Sequence, residues 1–535
     1  RLTCPGNGRR SAIIGRIQHR SRVITIDHSN AQARVAKGTT KRQTDETTTI
    51  YDDIDNVRLI TVLSTVVLIF HTCHFTCPRL GAIPNLAESP LLLNLGTSFS
   101  YKQRCLSVKA GILLLSSNSP ACVIPGALIA IHALLIVFQA LQHGCVPITL
   151  WLMTDNWHDM TALAQGVAMG EGDIDPVELT ESYLARIERE DTDHTVFLAV
   201  TADRARSEAE AAQKRARTGL RLGPLDGVPI SWKDLFDSAG TATPGGSEVF
   251  RNRIPSHDAD TLARATRAGM VCLGKTNLSE FAFSGLGINP TYGTPANAFD
   301  SVTPRCPGGS SSGSAVSVAR QLAPITVGTD TGGSVRIPAA WNGLVGLKTT
   351  SGVVPAKGVL PLSRQFDTVG PLAQDVADAN ALFAILCGGK AADLIGTSVR
   401  GKRFLVPDNI VWDNAEEGVV ACLEEAFEKL VAKGAIVERG KVPEFDAVTD
   451  LCNNVGNLFS PEAYGEWRDV IESQSDQMYD EVTKRFKMAE NMSSIDVAEA
   501  MHKLRSLRAS YLKRVAGYDA VLMPTTPITP PAIAP

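Results

Sequence analysis

From Met153 onward, amphipathic stretches alternate with short apolar runs. Asp175 and Pro176 supply an N-cap and a first-turn proline, and Leu179, Tyr183, Leu184 and Ile187 follow at helical spacing. TVFLAV (195–200) predicts a short buried strand, and the Ala-, Glu-, Lys- and Arg-rich residues 202–218 predict a second helix. Residues 228–232 predict a strand that delivers Lys233 to its end. Residues 258–268 read as a helix, 270–273 as a strand, and AVSVARQLAPITVGTD (315–330) as a helix followed by a buried strand. Residues 375–386 and 415–433 are amphipathic, and YDAVLM (518–523) predicts a further strand. The proline-rich PTTPITPPAIAP that follows is expected to be a loop with no element tying it down. Helices alternating with short apolar strands predict an α/β layered fold, with no solenoid repeat.

Composition changes this picture in one place. Apolar content of 44%, charged content of 20% and a net charge of −4 are ordinary for a globular protein and give no sign of a nucleic-acid partner. Residues 1–152, however, hold 15 Lys and Arg against 7 Asp and Glu, six of the 11 cysteines and none of the nine methionines. Two readings follow. In one, the 19-residue run VIPGALIAIHALLIVFQAL (123–141) anchors a genuine extension in a membrane. In the other, which the missing methionines favour, the protein starts at Met153. We therefore assign 1–152 as an extension of no recognised kind and 153–535 as the working domain. A cytoplasmic location is expected unless the extension is genuine. The HTCHFTC cluster (71–77) reads as chance clustering rather than a metal site, and no signal peptide is apparent.

Three segments carry candidate chemistry: GVPISWKD around Lys233, CPGGSSSGSA around Ser310 and GTDTGGSVR around Ser334. A serine nucleophile needs an exposed hydroxyl and converging backbone N–H groups where an oxyanion forms. Two glycines before Ser334 meet both needs, placing the amides of Thr331, Gly332, Gly333 and Ser334 as oxyanion donors. GGSSSGS alone reads as a linker, but it runs straight into a helix and buried strand, which pins both serine loops to one scaffold. Lys233 needs a neutral amine to act as a base, and Val228, Ile230 and Trp232 predict the burial that would depress its pKa. The only histidine between Gly223 and Pro355 is His257, in the polar stretch PSHDAD, so a serine–lysine arrangement fits better than a serine–histidine one. GMVCLGKT (269–276) satisfies the phosphate-loop pattern, but a helix precedes it and its middle residues are those of a buried strand. Nucleotide binding is kept only as an alternative.

Taken in order, GVPISWKD, GKTNLSEF, RCPGGSSSGSA and GTDTGGSVRIPAAWNGLVGLKTTSG resemble the amidase signature family. The likeness runs from about Met153 to the end and is densest over 223–370. It implies an α/β/α sandwich with a large mixed central sheet, and hydrolysis of carboxamides through a Ser–cis-Ser–Lys triad without metal or cofactor. Carried across, Ser334 is the nucleophile, Ser310 the bridging serine with a cis peptide bond, and Lys233 the base. Ser311 is expected to support the relay, and Asp330 and Arg336 to brace the loop as an ion pair. A small-molecule amide is the expected partner. The amidase component of a tRNA-dependent amidotransferase, which works with further subunits, is the nearest alternative. A catalytically silent, membrane-tethered protein is the most distant. Two features depart from the family pattern. Ser312 stands where the family has glycine, and members continue for several tens of residues beyond PTTP, so the domain is expected to be C-terminally incomplete.

Overall fold

The computed structural model of the protein describes residues 157–533. The 1–152 extension, its apolar run and the HTCHFTC cluster lie outside the described residues. In chain order the regular elements are α1 (Ala162–Glu171), α2 (Pro176–Glu190), β1 (Phe197–Val200), α3 (Ala202–Arg217), β2 (Pro229–Lys233), α4 (Asp260–Arg267), β3 (Val271–Thr276), α5 (Ser312–Ala319), β4 (Ile325–Asp330), α6 (Arg336–Trp341), β5 (Val345–Gly346), β6 (Thr368–Ala373) and α7 (Val376–Cys387). There follow β7 (Arg403–Pro407), α8 (Glu417–Ala432), β8 (Ile436–Gly440), α9 (Pro443–Val455), α10 (Ser460–Gln474), α11 (Asp480–Lys487), α12 (Ser494–Arg514) and β9 (Ala520–Val521).

The main sheet has six strands in the order β1-β3-β2-β4-β6-β5. Its centre, β3-β2-β4, is parallel, and both flanks are antiparallel. The sheet is therefore mixed. Strand alternation assigns its faces. Ser231 on β2 and Thr326 on β4 point to one face, where Ser231 meets Ser317 of α5 at 3.0 Å. Ile230 and Trp232 point to the other and join a buried apolar cluster with Leu262 of α4 and Leu382 of α7. A second, three-stranded parallel sheet, β8-β7-β9, packs with α8 around Phe404, Val406, Phe427 and Leu430.

The predicted helices and strands up to residue 330 form close to their expected bounds. Asp175 caps α2 by accepting from Val177 and Glu178, and Asp375 caps α7 by accepting from Asp378. Two features differ from expectation. The strand read at 270–273 runs on through Thr276, because Gly274, Lys275 and Thr276 continue its pairing with β2. The proline-rich segment after β9 is held firmly. The Cys306 amide donates to the Pro531 carbonyl at 2.8 Å, that of Ile533 to Pro304 at 2.9 Å, and Trp341 Nε1 to Thr526 and Ile528. The Cys306 and Ile533 bonds flank an antiparallel bridge between Arg305 and Ala532, so the segment is tied by one short stretch of strand-like pairing, with proline carbonyls as acceptors. Among the described residues no helix is long and apolar enough to cross a membrane.

Candidate active site

The candidate residues gather at the C-terminal ends of β2 and β4. Lys233 is the last residue of β2 and is fully buried. Its Nζ donates to Ser310 Oγ at 2.7 Å and to Thr329 Oγ1 at 2.8 Å. Burial pushes the Lys233 pKa down to about 7, with the Asp367 and Asp330 carboxylates pulling the other way. The amine is thus poised to be neutral near physiological pH.

Ser310 is fully buried, and the Gly309–Ser310 peptide bond is cis. Its loop is laced to the segment after β3. The Gly309 amide donates to Gly285, that of Gly308 to Leu286, and that of Ser279 to the Ser310 carbonyl. A Cβ at residue 309 would lie 2.5 Å from the Gly287 nitrogen, so only glycine permits this approach of two backbones. Ser311 links the two serine loops: its amide donates to the Ser334 carbonyl at 3.3 Å and its hydroxyl to the Thr329 carbonyl at 3.3 Å. Ser312 begins α5 in ordinary helical geometry, so glycine's freedom is not needed there.

Ser334 lies in the turn after β4 and is 8% exposed. The turn is built around Asp330, whose side chain is fully buried. Its Oδ1 accepts from the Gly333 amide at 2.9 Å and from Arg336 Nη2 at 2.8 Å. Its Oδ2 accepts from the Val335 amide at 3.1 Å and from Arg336 Nε at 3.0 Å. These donors hold the Asp330 carboxyl below its usual pKa despite its burial. One expectation is corrected here. The Gly333 N–H is committed to Asp330, so Gly333 is not a free oxyanion donor in this structure. Its glycine is required for another reason: φ is +135°, and a Cβ would meet Ile337 Cδ1 at 2.7 Å. Among the described residues the amides of Thr331, Gly332 and Ser334 have no acceptor, and Gly332 is exposed.

Three contributors were not singled out from sequence. Thr329 holds the Lys233 amine. Asp367, just before β6, accepts from Thr331 Oγ1 at 2.5 Å and from the amides of Leu362 and Ser363. An acidic residue opening the apolar run TVGPLA was its only sequence signal. Phe459, at the entrance to α10, lies against Gly332, where a Cβ would meet its ring at 3.2 Å. His257 is exposed and bonds Ser256, away from this cluster. The GKT of the apparent phosphate loop is part of β3. Lys275 is fully buried and paired with Asp234 at 2.8 Å, leaving no loop to cradle a phosphate. Among the described residues no cluster of His, Cys, Asp or Glu is placed to hold a metal ion.

The structure thus brings a buried lysine into hydrogen-bonding contact with Ser310 on an α/β scaffold, and ties the Ser334 turn to the same loop through the Ser311 amide. Comparisons with known proteins place the chain in a family. The Amidase family profile matches residues 178–534, and the chain belongs to this family. It is 33% identical over 405 residues to a glutamyl-tRNA(Gln) amidotransferase subunit of Chloroflexus aurantiacus, covering 69% of this chain and 82% of that protein. It is 36% identical over 334 residues to the 2-amino-5-chloromuconic acid deaminase of Comamonas testosteroni, covering 62% and 72%. Among solved structures, an amidase with 32% identity superposes with a TM-score of 0.65, covering 70% of this chain and 84% of the other. The fold is accordingly that of the amidase signature enzymes, and the chain is an amidase-class hydrolase.

Proposed function

We propose that the protein hydrolyses a small carboxamide through an acyl-enzyme on Ser334. The observation that carries this reading is the fully buried Lys233, its amine 2.7 Å from Ser310 and its pKa near 7. Neutral Lys233 takes the Ser310 proton while Ser310 takes that of Ser334 as Ser334 Oγ attacks the amide carbon. The C–N bond then breaks, and the proton returns along the same path to the departing amine. Water, deprotonated by the same relay, releases the acid and restores Ser334. The amides of Gly332 and Thr331, with that of Ser334, face the developing oxyanion. Asp330 and Arg336 hold the turn, and Asp367 holds Thr331 within it.

Labelling with a fluorophosphonate followed by peptide mapping tests this directly. We expect the label on Ser334, lost in Ser334→Ala together with at least about 10³-fold of amide hydrolysis. Full hydrolysis by Ser334→Ala would sink the proposal. A second reading, a glutamine-hydrolysing component of an amidotransferase, rests on the 33% identity to a protein of that kind. Glutaminase activity that appears only when partner subunits are added would favour it.

A further inference from the structure

A cavity of about 630 Å³ opens beside the oxyanion turn, with Thr329 and Thr331 in its wall. It follows α10. Phe459 at the start of that helix touches Gly332, and Trp467, about 12 Å farther along at 1.5 Å per residue, lines the cavity. Its volume lies in the ordinary range for small-molecule sites. Its apolar wall comes from Leu235, Ala282, Val359, Leu360, Leu362 and Trp467.

The polar lining is almost wholly engaged with itself. Arg253 forms two hydrogen bonds to Asp237, at 2.7 and 3.1 Å. Arg364 forms two to Glu466, at 3.1 and 2.5 Å. Asp367 already accepts three hydrogen bonds, the Thr368 hydroxyl donates to the Asp330 carbonyl, and Trp467 Nε1 donates to Pro361. Among the described residues, Lys357, at the exposed rim, is the one charged lining residue without a partner. A cationic substituent would therefore leave water without gaining a counter-ion, and an anionic one would find only Lys357 at the exposed rim, whereas an apolar one gains by burial alone.

We infer that this cavity receives the variable substituent of the amide and selects substituents that are uncharged and mainly apolar, so that a zwitterion such as glutamine is a poor substrate for this chain. The inference rests on the serine-hydrolase reading above. Trp467 would lie against the bound group, and Thr331 would place its carbonyl at the turn.

The test compares ammonia release from hexanamide, adipic acid monoamide, 6-aminohexanamide and glutamine by the full chain, alongside fluorophosphonate labelling of Ser334. We expect kcat/KM for hexanamide to exceed each charged amide by about tenfold or more. Glu466→Gln, in the cavity lining, removes the charge that neutralises Arg364 and should narrow the gap to adipic acid monoamide by about threefold. Labelled Ser334 with equal or better cleavage of the charged amides would overturn the inference while leaving the hydrolase reading intact. Unlabelled Ser334 with no amide cleaved would remove both.

Discussion

Lys233 shows how a residue's surroundings set its chemistry. An ordinary lysine amine, with a pKa near 10.4, is almost wholly protonated at neutral pH and is no base. Here burial disfavours the charged form, and the pKa comes down to about 7. In the proposed relay the neutral amine is the active form, so kcat/KM should rise with pH up to about 7 and level above it. Asp367 and Asp330 both favour the ammonium form, so removing one charge lowers the pKa further. Asp367→Asn is therefore expected to move the acid limb to lower pH while reducing kcat, because the Thr331 hydroxyl loses a charged acceptor. A pH–rate profile checks both. An acid limb that stays in place would show that the Asp367 charge does not reach Lys233.

At the scale of elements, the strand ends do the positioning. β2 and β4 are adjacent and parallel, so Lys233 and the Thr329–Asp330 end emerge on the same edge of the sheet. β3 contributes differently, through a buried ion pair. Lys275 Nζ meets Asp234 Oδ1 at 2.8 Å and Thr243 Oγ1 at 3.0 Å, while Asp234 also accepts from the Gly245 amide. This ties the turn after β2 to β3 and to the loop beyond. Breaking such a pair from one side leaves a buried charge without compensation. Lys275→Met is expected to destabilise the fold by about 3–5 kcal/mol in urea unfolding, and Asp234→Leu in the same chain should recover part of that loss. A near-neutral single substitution would mean that the pair is not buried as described.

For the whole molecule, the segment after β9 is the least anticipated contributor. Through Cys306, Arg305 and Trp341 it braces the chain that leads into the cis peptide and the helix that follows Ser334. Deleting residues 524–535 should lower the melting temperature by several degrees and abolish fluorophosphonate labelling of Ser334. Unchanged labelling in a folded, shortened chain would show that the brace is dispensable. The helices α9 to α12 act at the same scale. They carry none of the candidate catalytic residues, yet α10 brings Trp467 into the cavity wall and begins just after Phe459, which lies against Gly332.

Much of this was legible in the chain itself, for a local reason. Amphipathic spacing, the Asp175 cap and apolar runs are short-range signals, and they named the helices and strands from α2 to β4. Glycines and serines in fixed order marked the turn and the two serine loops, and the apolar neighbours of Lys233 announced its burial. What only the tertiary structure decided is what meets what across the fold. The Gly333 amide turns to Asp330 rather than to an oxyanion, Asp367 reaches Thr331 from 36 residues away, and Lys275 pairs with Asp234 across 41 residues. The cavity, too, is assembled from segments spread between Leu235 and Trp467. Hydrogen bonds and ion pairs of this kind depend on distance in space, and periodicity along a sequence records only neighbours on one element.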